Sequence, residues 1–194
     1  MEELNATGAE TPPRPASTVI VVRGGAAGLE VLLVQRNPQA RFMGGAWVFP
    51  GGAVDPGESD EAAAVRELRE EAAIEVEPDA LVPFSRWITP ALVKVRFDTR
   101  FFVTALPPGS APGVDGSECV ALDWFAPQQA LDAHARGELL LVFPTIKHLE
   151  QLTGFPSADA VLDHARASEV RPVLPRVLLT GEHARIVLPG DPEY

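Results

Sequence analysis

The stretch from Gly51 to Ile74, GGAVDPGESDEAAAVRELREEAAI, constrains this chain more than any other, because it joins a glycine-proline turn to a helix-forming run dense in carboxylates. Ser59 is a good N-cap, so the helix is expected to begin just after it. Successive helical residues turn by about 100°. Ala64, Val65, Leu68 and Ala72 then share one stripe, and Glu67, Glu70 and Glu71 share the stripe beside it. In water such neighbouring carboxylates repel by roughly 0.2–0.5 kcal/mol per pair. A hard divalent cation reverses that sign, and all-oxygen ligands suit Mg²⁺ first and Mn²⁺ second. The plainer alternative is a solvated acidic face, with Arg66 and Glu70 as an i,i+4 pair.

Charge narrows what such a cation would serve. A net charge of -11 leaves no basic face for nucleic acid or an anionic membrane. A phosphate-bearing small molecule would therefore be reached through bound metal and a few local arginines. Cys119 is the only cysteine of the 194 residues, which excludes an intrachain disulfide and a cysteine-based zinc site. The leading MEELNATGAETPPRPAS has neither the basic start nor the apolar run of a signal peptide, and no apolar run nears membrane-spanning length. The expectation is a cytoplasmic, soluble protein: a flexible tail over residues 1–16, then a single domain over 17–194.

The glycine-to-helix run resembles the Nudix box, G-x5-E-x7-R-E-U-x-E-E-x-G-U with U aliphatic. Here it reads Gly52, Glu58, Arg66, Glu67, Leu68, Glu70, Glu71 and Ile74, with Ala73 where the pattern has glycine. That departure lies at the helix end, where glycine serves the backbone and not the metal. The resemblance implies an α-β-α sandwich of the α+β type, built on a mixed sheet. It also implies that Glu67, Glu70 and Glu71 hold Mg²⁺, that Gly52 and Glu58 support them from the loop, and that Arg66 orients the glutamates.

Along the chain, Thr18–Val22 and Leu29–Val34 read as a hairpin around GGAAG, and Trp47–Phe49 as a short strand entering Pro50. Ala80–Thr89, Arg96–Thr104 and Cys119–Phe125 read as further strands, with 106–116 as a loop at the cleft mouth. Helices are expected over Pro127–Arg136, Thr145–Leu152 and Ser157–Ala167, the last two outside the common core. His134, His148 and His164 fall in them and read as packing or surface residues. Val177–Leu179 and Ala184–Leu188 suggest a closing hairpin, one that could add to a partner's sheet in a homodimer.

LLVQRNPQARFMGGAWVFPGG, and RFDTRFF with WITP before it, resemble the coenzyme A and acyl-coenzyme A diphosphatase branch of that family. The resemblance makes Arg36 and Arg41 candidates for the extra 3'-phosphate of coenzyme A, and puts Arg96 and Arg100 beside the cleft. The alternatives are solvated loop arginines for the first pair and cross-strand partners of Asp98 for the second. Glu118 is a further candidate ligand or base, against an exposed strand-end carboxylate. The expected activity is hydrolysis of a nucleoside diphosphate linked to another moiety, with catalytic roles for Arg66, Glu67, Glu70 and Glu118. The alternatives are ADP-ribose, NADH or a dinucleoside polyphosphate as substrate, and a nucleotide-binding domain without turnover.

Overall fold

A computed structural model describes residues 11–25, 28–41, 43–180 and 183–194. The aliphatic runs become two long antiparallel strands, β1 (Arg14–Gly25) and β2 (Gly28–Arg36). β1 starts at Arg14, so residues 14–16 belong to the sheet and not to a tail; residues 1–10, Ala26 and Ala27 of the expected turn lie outside the described residues. β3 (Trp47–Val48) pairs with β2 and β4 (Gly51–Ala53) with β1. α1 (Asp60–Ala72) follows, capped by Ser59, whose hydroxyl oxygen accepts from the Ala62 N–H at 3.1 Å.

A 3-10 turn over Pro78–Ala80 leads into β5 (Val82–Ile88), which pairs antiparallel with β6 (Phe97–Ala105). β6 runs parallel to β1 along Arg14–Val22, the crossover that makes the sheet mixed. β7 (Cys119–Phe125) closes against β2. The helices α2 (Pro127–Ala135), α3 (Phe143–Leu152) and α4 (Ala158–Ala167) come next, with Ser157 capping α4. β8 (Pro172–Val173) joins the sheet beside β5, while β9 (Arg176–Thr180) and β10 (His183–Val187) pair with each other as a separate hairpin. Gly181 and Glu182 of its turn lie outside the described residues.

Period-2 alternation divides the core in two. Val19, Val21, Leu32 and Val34 face Ala64, Leu68 and Ala72 of α1. Ile20, Val22, Val31 and Leu33 face the other way, onto α2, α3 and α4. Strands buried on both faces explain why β1 and β2 read as continuous aliphatic runs. No described helix is long and apolar enough to cross a membrane.

Ala73 ends α1 in the left-handed conformation, φ 52°, its N–H bonded to the Arg69 and Leu68 carbonyls. A β-carbon is disfavoured there, so Ala73→Gly is expected to stabilise the fold by about 1 kcal/mol, read as a higher thermal midpoint with unchanged activity.

Candidate active site

The turn before α1 positions everything that follows. Gly51 lies so close to β1 that a β-carbon on it would sit 2.4 Å from the Ser17 carbonyl oxygen. One on Gly52 would sit 2.4 Å from Oε1 of Glu67. The two glycines thus let the helix carboxylates rest directly on the backbone of β4. Gly51 donates its N–H to Oε2 of Glu71 at 2.8 Å. The two positions predict different failures. Gly51→Ala clashes with backbone and is expected to cost about 2 kcal/mol or more in a urea melt. Gly52→Ala is expected to fold near-normally, because a carboxylate can swing aside, and to lose about a hundredfold in turnover.

Arg66 gathers the carboxylates. Its Nε and Nη2 donate to both oxygens of Glu58 at 3.0 Å, and Nη2 donates to the Ala53 carbonyl, also at 3.0 Å. Nη1 donates to Glu67 at 2.7 Å and to Glu70 at 3.3 Å. All the guanidinium donors are engaged, which is the rigid fork that a lysine would lack. Glu58 is held below the usual carboxylate range by Arg66 first and by the Asp55 N–H second.

The three helix glutamates do not stand alike. Glu67 and Glu71 are buried, whereas the Glu70 side chain is 53% exposed. Burial pushes Glu71 up to about 7, opposed by the Gly51 N–H, with Glu67 pushing the same way as burial. Burial also raises Glu67, against the pull of Arg66, and Glu70 and Glu118 add to the rise. Among the described residues no three acidic, histidine or cysteine side chains converge on one point. Glu67 is drawn onto Arg66, Glu71 onto Gly51, and Glu70 sits at the rim. Two buried carboxylates that repel each other, with oxygen donors only, fit a hard divalent cation.

Glu118 joins this group electrostatically from the start of β7, its exposed side chain following a backbone N–H bonded to the Asp115 carboxylate at 3.2 Å. Arg36 arrives by a different device. The β2–β7 register shifts between Gln35 and Arg36, and this irregularity sets Arg36 opposite Cys119. Its charge lowers Glu71, the Cys119 thiol donates to the same carboxylate, and Arg36 Nε is buried without a hydrogen-bond partner. Around it opens a polar cleft of about 330 Å³ lined also by Asn37, Gln39, Ser117 and Glu118.

The remaining arginines stand elsewhere. Arg41 is exposed on the turn after β2. Arg96 is buried, donating to the carbonyls of Thr89 at 3.0 Å and Thr11 at 2.7 Å, so it braces the chain; it also lines a separate pocket with Leu92, Leu174 and Tyr194, away from the acidic group. Arg100 pairs with Asp60 in the first turn of α1. Asp98 takes neither of them as its main partner: Arg86 grips it with two bonds, at 2.8 and 2.6 Å. The 106–116 loop docks on the end of α1 through the Gly113 N–H, 2.9 Å from the Ala72 carbonyl. The Gly51 N–H, the register shift at Arg36 and the Cys119 thiol are site features that no sequence reading named; a lone cysteine opening a strand was the only trace.

With this geometry in view, the comparisons are decisive. A NUDIX domain model matches residues 12–143, two thirds of the chain and all of the glycine-helix unit. The chain belongs to the Nudix family. A Nudix hydrolase crystal structure from Alicyclobacillus acidocaldarius superposes with a TM-score of 0.71 at 28% identity, covering 80% of this chain and 97% of that one. Among curated relatives, the acyl-coenzyme A diphosphatase NUDT19 of Homo sapiens is 35% identical over 136 residues, 66% of this Nudix chain and 36% of its own length. The NAD-capped RNA hydrolase NudC of Stutzerimonas stutzeri is 33% identical over 98 residues, 50% of this chain and 33% of its own. The chain thus spans about a third of the length of these two relatives.

Proposed function

We propose that this Nudix hydrolase cleaves the pyrophosphate of a nucleoside diphosphate linked to another moiety, and that the substrate is coenzyme A or an acyl-coenzyme A. The observation that carries the reading is the pair of buried carboxylates, Glu67 and Glu71, held against the Gly51-Gly52 backbone with Arg36 beside them. The divalent cation, Mg²⁺ with Mn²⁺ as the second choice, would be held by Glu67, Glu70 and Glu71, and when bound it neutralises pyrophosphate charge and acidifies water.

Arg66 keeps Glu58, Glu67 and Glu70 in one orientation, a positioning role through five directed bonds. The proton of the attacking water passes to a carboxylate of the same group. Glu70 and Glu118 are the candidates, since both are exposed to solvent that can carry the proton away. Arg36, reaching in from β2, and Arg41 on the following turn supply cationic contacts for phosphate oxygens, including the 3'-phosphate of coenzyme A.

Support for the coenzyme A reading is the 35% identity to a protein named for acyl-coenzyme A cleavage. The NudC relative favours a second reading, a nicotinamide dinucleotide or ADP-ribose. A panel assay with Mg²⁺ decides between them: release of phosphopantetheine and 3',5'-ADP supports the first, and AMP from NADH or ADP-ribose the second. Nucleotide binding without any product would leave a non-catalytic domain. For coenzyme A, Arg36→Ala and Arg41→Ala should raise KM at least tenfold, and 3'-dephospho-coenzyme A should be blind to the Arg41 change.

A further inference from the structure

Across the molecule from the aliphatic face of α1 lies a cavity of about 180 Å³ that the reaction as derived does not use. Its wall is apolar: Met43, Trp87, Val95, Phe101, Phe143 and Ile186 all contribute. No charged or amide side chain lines it, and the polar groups of Thr89 are already committed. Thr89 donates its N–H to the Phe97 carbonyl at 2.9 Å, accepts from Arg96 at its own carbonyl, and accepts the Phe97 N–H at its hydroxyl at 3.0 Å. The Thr99 hydroxyl and the Trp87 indole N–H are the other polar side-chain groups in the lining.

A nucleobase brings more polar edge atoms than this wall could pair, and each unpaired group costs affinity. An aliphatic chain brings none. Val95 and Ile186 are left 45% and 38% exposed, so a chain entering here would withdraw them from water as well.

The cavity and the polar cleft share one segment. Between β2 and β3, residues Asn37, Gln39 and Ala40 line the cleft of Arg36 and Glu118, and Met43 lines the apolar cavity. Met43 is held there at φ 52°, a conformation that side chains with a β-carbon rarely adopt. One short loop thus touches a site for charge on one side and a site for hydrocarbon on the other. A substrate with an anionic head, a long flexible arm and an apolar end matches that order.

We propose that this cavity holds the acyl chain of the substrate, so that the protein selects acylated over unacylated coenzyme A. Its closing wall comes from β10, through Ile186, and from the 89–95 loop, neither of which belongs to the glycine-helix unit. The proposal rests on the coenzyme A reading for the identity of the head group, and its test separates the two. In metal-free protein, Trp87 in the wall reports occupancy by fluorescence. Acyl-pantetheines should bind about tenfold more tightly for each two methylenes added, until the cavity is filled at short to medium chain length. Val95→Asp and Ile186→Asp should weaken octanoyl-pantetheine binding at least tenfold and raise KM for octanoyl-coenzyme A alike, with turnover of free coenzyme A unchanged.

Binding that ignores chain length, or competition between 3',5'-ADP and octanoyl-pantetheine for the Trp87 signal, overturns the assignment. Chain-length-dependent binding with no cleavage of any coenzyme A compound upholds the cavity assignment and removes the substrate reading. Cleavage of coenzyme A thioesters at the same KM for every acyl length does the reverse.

Discussion

Glu71→Gln is expected to make the metal-free protein more stable at neutral pH and to stop turnover. Burial pushes the Glu71 carboxyl from an ordinary 4.5 up to about 7, so the folded protein holds that proton more tightly than the unfolded chain does. Stability from this group is fully present below pH 4.5 and is lost as pH rises through about 7, a loss of about 3 kcal/mol. Glutamine keeps an oxygen for the Gly51 N–H and carries no charge, so the loss disappears. In urea melts in a chelator, the variant should gain stability relative to the parent protein as pH rises from 5 to 8, by about 3 kcal/mol. Turnover should fall about a thousandfold, since a neutral amide cannot help hold a divalent cation. Mg²⁺ should raise the melting midpoint of the parent protein and leave the variant nearly unmoved. Equal pH slopes for the two proteins would show that Glu71 does not carry the buried charge.

The second large effect belongs to His148 in α3, which is buried in the core. Its ring lies within 6.2 Å, centroid to centroid, of Phe49, Phe84, Trp87 and Phe101. Nδ1 is 2.7 Å from the Pro144 carbonyl and must donate to it; Nε2 then accepts from the Ser85 hydroxyl at 2.6 Å. Burial lowers the imidazole from 6.5 to about 4, and the Pro144 bond opposes that. Stability from the neutral ring is present above pH 6.5 and is lost as pH falls through about 4, again about 3 kcal/mol. His148→Ala should cost about 3–4 kcal/mol in thermal or urea melts, from the cavity and from the orphaned Ser85 and Pro144 groups. It should also flatten the acid limb of the stability profile. Between pH 4.5 and 6.5 the Glu71 and His148 slopes have opposite signs and nearly cancel. The parent protein is therefore expected to look indifferent to pH across that window, and Glu71→Gln to reveal a rise.

Legibility followed locality. Ser59 as the cap of α1, Ser157 as the cap of α4 and the bounds of β7 could be read because each depends on residues a few positions apart. The aliphatic alternation of β1 and β2 disclosed a hairpin but hid its length, since nothing in Arg14-Pro15-Ala16 resembles a strand; those residues are held by pairing with Phe97–Thr99 of β6. Within the site, helical periodicity placed Glu67, Glu70 and Glu71 together and could not rank them. The rank is set by β4, whose Gly51 and Gly52 accept Glu71 and Glu67 and leave Glu70 to solvent. Arg36 could be named as a candidate but not placed, because a register irregularity between strands distant in sequence decides its position. Arg96, put beside the cleft by the family resemblance, is buried against the carbonyls of residues 11 and 89, a contact between positions too far apart in sequence to be read there.

Cys119 gives this arrangement a reporter. Its thiol is buried against Glu71 and pushed up to about 12 by burial first and by that carboxylate second, so the reactive thiolate is scarce while the pocket stays shut. Alkylating reagents and oxidants would reach the sulfur only when β7 parts from the end of α1. The rate at which this one sulfur is modified therefore measures how often the acidic centre breathes, and anything that tightens that centre also shields the cysteine.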